Sequence, residues 1–205
     1  MPTVSSPRAR PARRLTGLVA GALVLLVFGC APEDPWALKD ISGLMPRLEF
    51  TLTSDAGQTV HGRDYRGKVV LLYFGYTHCP DICPTTMSKL ARALDQVEGG
   101  TSGTRVLFVS VDPERDSREV LARYVEHFGE QFVGIRGTQR QLKLLTKRYR
   151  VTYGYGEPDE DGNYPVSHSS AVFVFDEDGQ ARLMGRRQDS VGAFAADLRR
   201  LLGEG

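Results

Sequence analysis

Residues 68–74, which follow Gly67, are apolar without interruption from Val69 to Phe74, and this run constrains the fold more than any other feature of the chain. A strand with one solvated face alternates apolar and polar residues, whereas one apolar on both sides has to be covered on both faces. The run therefore predicts a central strand of a sheet flanked by helices. Residues 105–111 read as a second strand of the same kind. Between the two, residues 85–97 carry helical periodicity through Met87, Leu90, Ala91, Leu94 and Val97. Pro84 is tolerated in the first turn of that helix, where no backbone donor is needed.

The remaining segments extend the alternation. Residues 48–53 and 58–61 read as a hairpin around Ser54-Asp55-Ala56-Gly57, residues that accept positive φ. A helix is expected over 117–128, with Asp116 and Glu119 forming a capping box. A short strand over 132–135 and a helix over 139–149 follow. Residues 154–165, with Glu157, Asp159, Glu160 and Asp161 among glycines and prolines, read as a loop or hairpin tip. Residues 171–175 and 181–185 pair across Asp176-Glu177-Asp178-Gly179, and a helix over 190–202 closes the chain. The order predicts an α/β fold: a thioredoxin-like three-layer domain with added hairpins over residues 46–205.

The N-terminal segment is of a different kind. Arg8, Arg10, Arg13 and Arg14 form a basic region before an apolar run over 15–28, shorter than the roughly 20 residues of a membrane span. Residues 1–29 read as a signal peptide, with a retained membrane anchor as the alternative. Leu26-Val27-Phe28-Gly29-Cys30 resembles a bacterial lipobox, which makes Cys30 the expected lipidation site and mature N-terminus. Arg13-Arg14 reads as an ordinary part of the basic region rather than a twin-arginine signal. Residues 30–45, polar and Pro-containing, are expected to tether the lipid to the domain. The expected location is exported and membrane-tethered, facing the bacterial periplasm or cell exterior.

Export changes the charge balance. The chain has 26 Lys+Arg and 25 Asp+Glu; removing the four leader arginines leaves 22 against 25, a balance of −3. No basic stripe remains to neutralise phosphates, which excludes nucleic acid as a partner. With Cys30 lipidated, Cys79 and Cys83 form one pair, and a thiol pair in an oxidising compartment is a disulfide, a redox centre or a metal site.

Gly75-Tyr76-Thr77-His78-Cys79-Pro80-Asp81-Ile82-Cys83-Pro84 places both cysteines where strand gives way to helix, and Pro165-Val166-Ser167-His168-Ser169-Ser170 places His168 before another apolar strand. Two thiolates and one imidazole are a soft, low-coordination donor set that favours copper and serves magnesium and calcium poorly. A helix N-terminus beside the thiols favours their anionic form. As neutral imidazole, His168 suits cupric as well as cuprous ion. Three alternatives stay open: a structural disulfide, a thiol-disulfide centre, and a zinc site with water in the fourth position. The pair has three intervening residues rather than two, and no tryptophan precedes Cys79, which weighs against a thioredoxin-type redox motif. Leu72 and Tyr76, seven and three residues before Cys79, also differ from the proline and threonine of a peroxidase variant. His78 reads as a solvated loop histidine and Met87 as core. Asp112 and Asp116 are candidates for the layer behind the ligands.

Three ordered motifs resemble the Sco/SenC family: Tyr73-Phe74-Gly75-Tyr76-Thr77-His78-Cys79-Pro80-Asp81-Ile82-Cys83-Pro84, then Ser110-Val111-Asp112-Pro113-Glu114-Arg115-Asp116, then His168 before an apolar strand. The resemblance covers the domain from about residue 46 onward and implies a membrane-tethered thioredoxin-like domain that binds copper, Cu(I) or Cu(II), through Cys79, Cys83 and His168. It further implies a metallochaperone supporting assembly of the dicopper centre of cytochrome c oxidase, with the copper-bearing subunit as partner. The alternative it carries is a thiol-disulfide oxidoreductase acting on the cysteines of that centre. Ser167 departs from the pattern, since the family commonly places an aspartate before the histidine. Reduced thiols in an oxidising exterior also call for an upstream thiol reductant and a copper carrier.

Overall fold

The computed structural model describes residue 3 and residues 35–203, so Cys30 and, apart from residue 3, the expected leader over 1–29 lie outside the described residues. The folded unit begins at Trp36. Its strands are β1 (Lys39–Asp40), β2 (Thr51–Ser54), β3 (Thr59–His61), β4 (Val69–Gly75), β5 (Thr104–Ser110), β6 (Phe132–Arg136), β7 (Tyr153–Tyr155), β8 (Val166–His168), β9 (Val172–Phe175) and β10 (Ala181–Gly185). Its helices are α1 (Ile82–Leu94), the single turn α2 (Gly100–Gly103), α3 (Arg118–Glu126), α4 (Gln139–Arg148) and α5 (Val191–Leu201). Eight strands form one sheet in the order β1-β10-β9-β4-β5-β6-β2-β3, and β7 and β8 form a separate two-stranded sheet.

The apolar run is the centre of this sheet. Every residue of β4 is buried; β5 pairs with it in parallel and β9 antiparallel. Alternation along β4 sends successive side chains to opposite layers. Tyr73 meets Phe108 of β5 on one face, where Tyr124 of α3 packs on Phe108 in turn. Phe74 meets Tyr149, the residue capping α4, on the other face, and Tyr149 also packs on Phe173 and Phe175 of β9. Helices thus cover both faces, the three-layer α/β arrangement expected. The β2–β3 hairpin turns through Gly57, whose φ of +80° is left-handed and therefore suits glycine.

Four local details differ from the sequence reading. Within the expected tether, residues 30–45, Lys39–Asp40 adds to the sheet as β1 beside β10, and Leu38 and Ile41 are buried. Asp197 of α5 secures this segment: its carboxyl, 2% exposed, accepts the amides of Ala37 at 3.0 Å and Leu38 at 2.7 Å. Helix α1 starts at Ile82, three residues before the expected periodic stretch, so Cys83 joins Pro84 within its first turn. The expected Asp116–Glu119 capping box is replaced by Ser117, whose hydroxyl accepts the Val120 amide, because the Asp116 carboxyl is occupied elsewhere. Finally, His168 ends a strand of its own, β8, paired with β7, instead of lying in the loop before β9.

Removing the Asp197 carboxyl by Asp197→Ala leaves the Ala37 and Leu38 amides unpaired and should lower the unfolding free energy by about 2 kcal/mol. Denaturant unfolding checks the magnitude, and faster amide exchange confined to residues 37–41 checks the location. An unchanged midpoint would show that β1 is held by other contacts.

Candidate metal centre

The parallel pair β4 and β5 ends at one edge of the sheet, and the loops that follow them face the same side, the usual place for a site in an open α/β sheet. Gly75 closes β4. A Cβ built there would lie 2.8 Å from Cys83 Sγ and 2.7 Å from the Phe108 ring, so the sulfur sits where any larger residue would project. The chain then turns through Tyr76 to Cys79, whose amide donates to the Tyr76 carbonyl at 3.3 Å, before α1 begins.

The four-residue spacing of the cysteines has a local physical reason. The first amides of a helix have no intrahelical acceptor. Asp81, the N-cap of α1, makes no side-chain cap bond. Instead Cys79 Sγ accepts the Cys83 amide at 3.4 Å. Both thiols are free, Cys79 half-buried and Cys83 fully buried. Their surroundings drive them apart. Burial alone would push the Cys79 thiol up, but the amides of Cys83, Asp81 and Ile82 and the Cys83 thiol outweigh it, so Cys79 lies below its ordinary value. Burial dominates at Cys83, with the neighbouring Cys79 adding to it, and its pKa is pushed up to about 12. The expected helix-end activation therefore reaches one thiol of the two.

His168 arrives from the far end of the sequence. Its Nε2 lies 3.3 Å from Cys83 Sγ, and its Nδ1 lies 3.0 Å from the Ser169 carbonyl. A carbonyl can only accept, so Nδ1 carries the proton and Nε2 presents its lone pair to the sulfurs. Burial holds the imidazole below its ordinary pKa and hence neutral. One donor atom each from Cys79, Cys83 and His168 lie within 4.8 Å of one another, and no other group of three such residues is found among the described residues.

Side chains without a role in the sequence reading build the walls. Tyr73 donates its hydroxyl to Cys83 Sγ at 3.7 Å and stands edge-on to His168; Tyr76 stands edge-on to the same imidazole, with ring centroids 5.8 Å apart. The alternation of β4 could have pointed Tyr73 toward α1, but nothing local announces its hydroxyl as a partner for sulfur.

The two aspartates hydrogen-bond to neighbouring loops rather than to Cys79, Cys83 or His168. Asp116 is fully buried and accepts the Thr77 hydroxyl and the Ser110 hydroxyl, each at 2.6 Å, together with the Thr77 amide. It fastens the loop leading to Cys79. Asp112, also buried, accepts from Arg115 Nε at 2.5 Å and from the Tyr164 hydroxyl at 2.8 Å. Half-exposed His78 lies 3.1 Å from the Thr77 hydroxyl and outside the three-donor group. Ser167 is exposed and donates to the Gly154 carbonyl. Met87 is core.

A thioredoxin-like domain with two thiols and an imidazole gathered at a strand-to-helix turn is the class that fold and site define. The SCO1/SenC family model matches residues 45–203, and the chain belongs to that family. A bovine (Bos taurus) mitochondrial SCO2 homolog is 39% identical over 163 residues, covering 75% of this chain and 61% of its own length. A SCO2-like protein of Rickettsia felis is 32% identical over 169 residues, covering 78% of this chain and 80% of its own. The solved structure of Arabidopsis thaliana ScoI with copper bound superposes with a TM-score of 0.71 at 31% identity, covering 78% of this chain and 99% of that one. The chain thus spans less than two thirds of the bovine relative's length. No helix among the described residues is long and apolar enough to cross a membrane.

In reduced, metal-free protein near neutral pH, the lowered pKa of Cys79 leaves it more thiolate than Cys83. Iodoacetamide should therefore modify Cys79 first, with Cys83 slower by about tenfold or more, since each pKa unit changes the thiolate fraction about tenfold. Peptide mass spectrometry across a pH series reads both rates, and equal rates would contradict the asymmetry.

Proposed function

We propose that this chain is a copper metallochaperone that holds copper on Cys79, Cys83 and His168 and supports assembly of the dicopper centre of cytochrome c oxidase. The convergence of one donor atom from each of these residues within 4.8 Å carries this conclusion. Thiolate sulfur and neutral imidazole fit copper by softness, and three donors suffice for cuprous ion while nitrogen serves the cupric state. The half-buried Cys79 gives a partner an approach to the site. The relative of known structure has copper bound, which supports the same cargo here. The partners that follow are the copper-bearing oxidase subunit as acceptor, and an upstream thiol reductant and copper carrier as suppliers. Lipid on Cys30, or a retained anchor, would hold the domain at the membrane outside the cytoplasm.

One observation favours a second reading, thiol-disulfide exchange. The thiols are split into an accessible one of lowered pKa and a buried one of raised pKa, the division between an attacking and a resolving cysteine. The Cys79 thiolate would attack a partner disulfide and release one partner thiolate. Cys83 would then attack Cys79 and release the second. Two electrons pass to the partner, and a Cys79–Cys83 disulfide remains.

Copper competition against a cuprous chelator tests the first reading. His168→Ala should weaken binding by at least about tenfold, and copper should raise the melting temperature of the reduced protein but not of the oxidised one. Unchanged affinity in His168→Ala, or equal shifts in both redox states, would remove the basis for the carrier function. Disulfide-reductase turnover undiminished in a variant that no longer holds copper would favour the exchange reading.

A further inference from the structure

We propose that Tyr164 is a positioning residue of the metal site: with Asp112 and Arg115 it forms a clasp that holds the β7–β8 hairpin so that its last residue, His168, stands against the thiols. The inference rests on the copper reading for its consequence, but the clasp itself is a matter of geometry.

The hairpin needs an anchor outside itself. Its ladder has three residue pairs, Tyr153 with His168, Gly154 with Ser167 and Tyr155 with Val166, and a two-stranded ribbon of this size is marginal alone. Two phenols tie it to the loop after β5. Tyr155 donates its hydroxyl to the Val111 carbonyl at 2.6 Å, and Tyr164 donates to Asp112 Oδ1 at 2.8 Å. The second contact is part of a closed triangle. Asp112 Oδ2 takes Arg115 Nε at 2.5 Å, and the Arg115 guanidinium lies over the Tyr164 ring, 3.7 Å from its centroid. Arg115 Nη2 is buried with no hydrogen-bond partner, so the aromatic face has to meet part of that charge. Each of the three side chains therefore depends on the other two.

The triangle shares its base with the cysteine loop. The Asp112 amide donates to the Ser110 hydroxyl at 3.0 Å, and that hydroxyl donates to Asp116, which holds Thr77 two residues before Cys79. Asp112 thus references the histidine hairpin, and Asp116 the cysteine loop, to one buried hydroxyl. Loosening the Tyr164 branch should free His168 while leaving Cys79 and Cys83 in place, turning a three-donor site into a two-donor one.

Tyr164→Phe deletes the phenol oxygen and keeps the ring on Arg115. In the reduced, metal-free full chain, amide exchange at residues 166–168 should quicken by about tenfold, with β4 amides unchanged and both thiols still titrating. After copper loading, affinity should fall by about tenfold or more, with a shifted sulfur-to-copper charge-transfer band. Asp112→Asn, which keeps an oxygen for Tyr164 but weakens the hold on Arg115, should move both readouts the same way and less. Wild-type exchange at 166–168 in Tyr164→Phe overturns the clasp, and quickened exchange with wild-type affinity and band overturns its positioning role. The exchange arm uses no copper, so it judges the clasp even if His168→Ala shows that copper is held without the imidazole.

Discussion

Cys83 Sγ and His168 Nε2 lie 3.3 Å apart across 85 residues of chain, and that contact depends on strand order. Because β4 and β5 run parallel, the loops after both emerge at one end of the sheet. Because β9 runs antiparallel to β4, with Val172 opposite Tyr73, it starts where β4 finishes. The residues just before β9 are therefore delivered beside the residues just after β4. A sheet with β9 elsewhere would carry the same motifs and no shared site.

Within that arrangement the two sulfurs do different work. Cys79 serves as acceptor for the Cys83 amide in the first turn of α1, a place that stabilises negative charge and leaves it partly open to solvent. Cys83 is enclosed by Gly75, Tyr73, Phe108 and His168, where burial disfavours the thiolate. A cation held between them would offset that penalty, since charge neutralisation replaces the hydration Cys83 lacks. The same split also suits stepwise disulfide exchange, so geometry at the sulfurs alone serves both readings. The imidazole completes the group: the Ser169 carbonyl fixes its Nδ1 proton, and Nε2 faces Cys83 Sγ with its lone pair.

Much of the fold was legible because its signals are local. The run from Val69 to Phe74 has one physical outcome, and the helices over Ile82–Leu94, Arg118–Glu126, Gln139–Arg148 and Val191–Leu201 follow their apolar periodicity. The misplacements came from side chains whose partners are remote in sequence. Asp116 looks like a cap because Glu119 is three residues on, yet Ser110 and Thr77 claim its carboxyl. Residues 36–45 look like linker because nothing nearby reveals Asp197, some 160 residues away, as acceptor for their amides. The β7–β8 ribbon has only three residues in each strand, too few to announce itself, and Tyr155 and Tyr164 tie it to Val111 and Asp112. Likewise the cysteine pair is conspicuous in the sequence, whereas its union with His168 needs the strand order.

The central claim is that two sulfurs and one ring nitrogen of this chain share a single copper ion. X-ray absorption at the copper edge of the stoichiometrically loaded, reduced chain tests it most directly. The account predicts a first shell of two sulfur scatterers and one imidazole nitrogen, with the imidazole signature lost in His168→Ala. A shell of sulfur alone, or of nitrogen and oxygen alone, would contradict it.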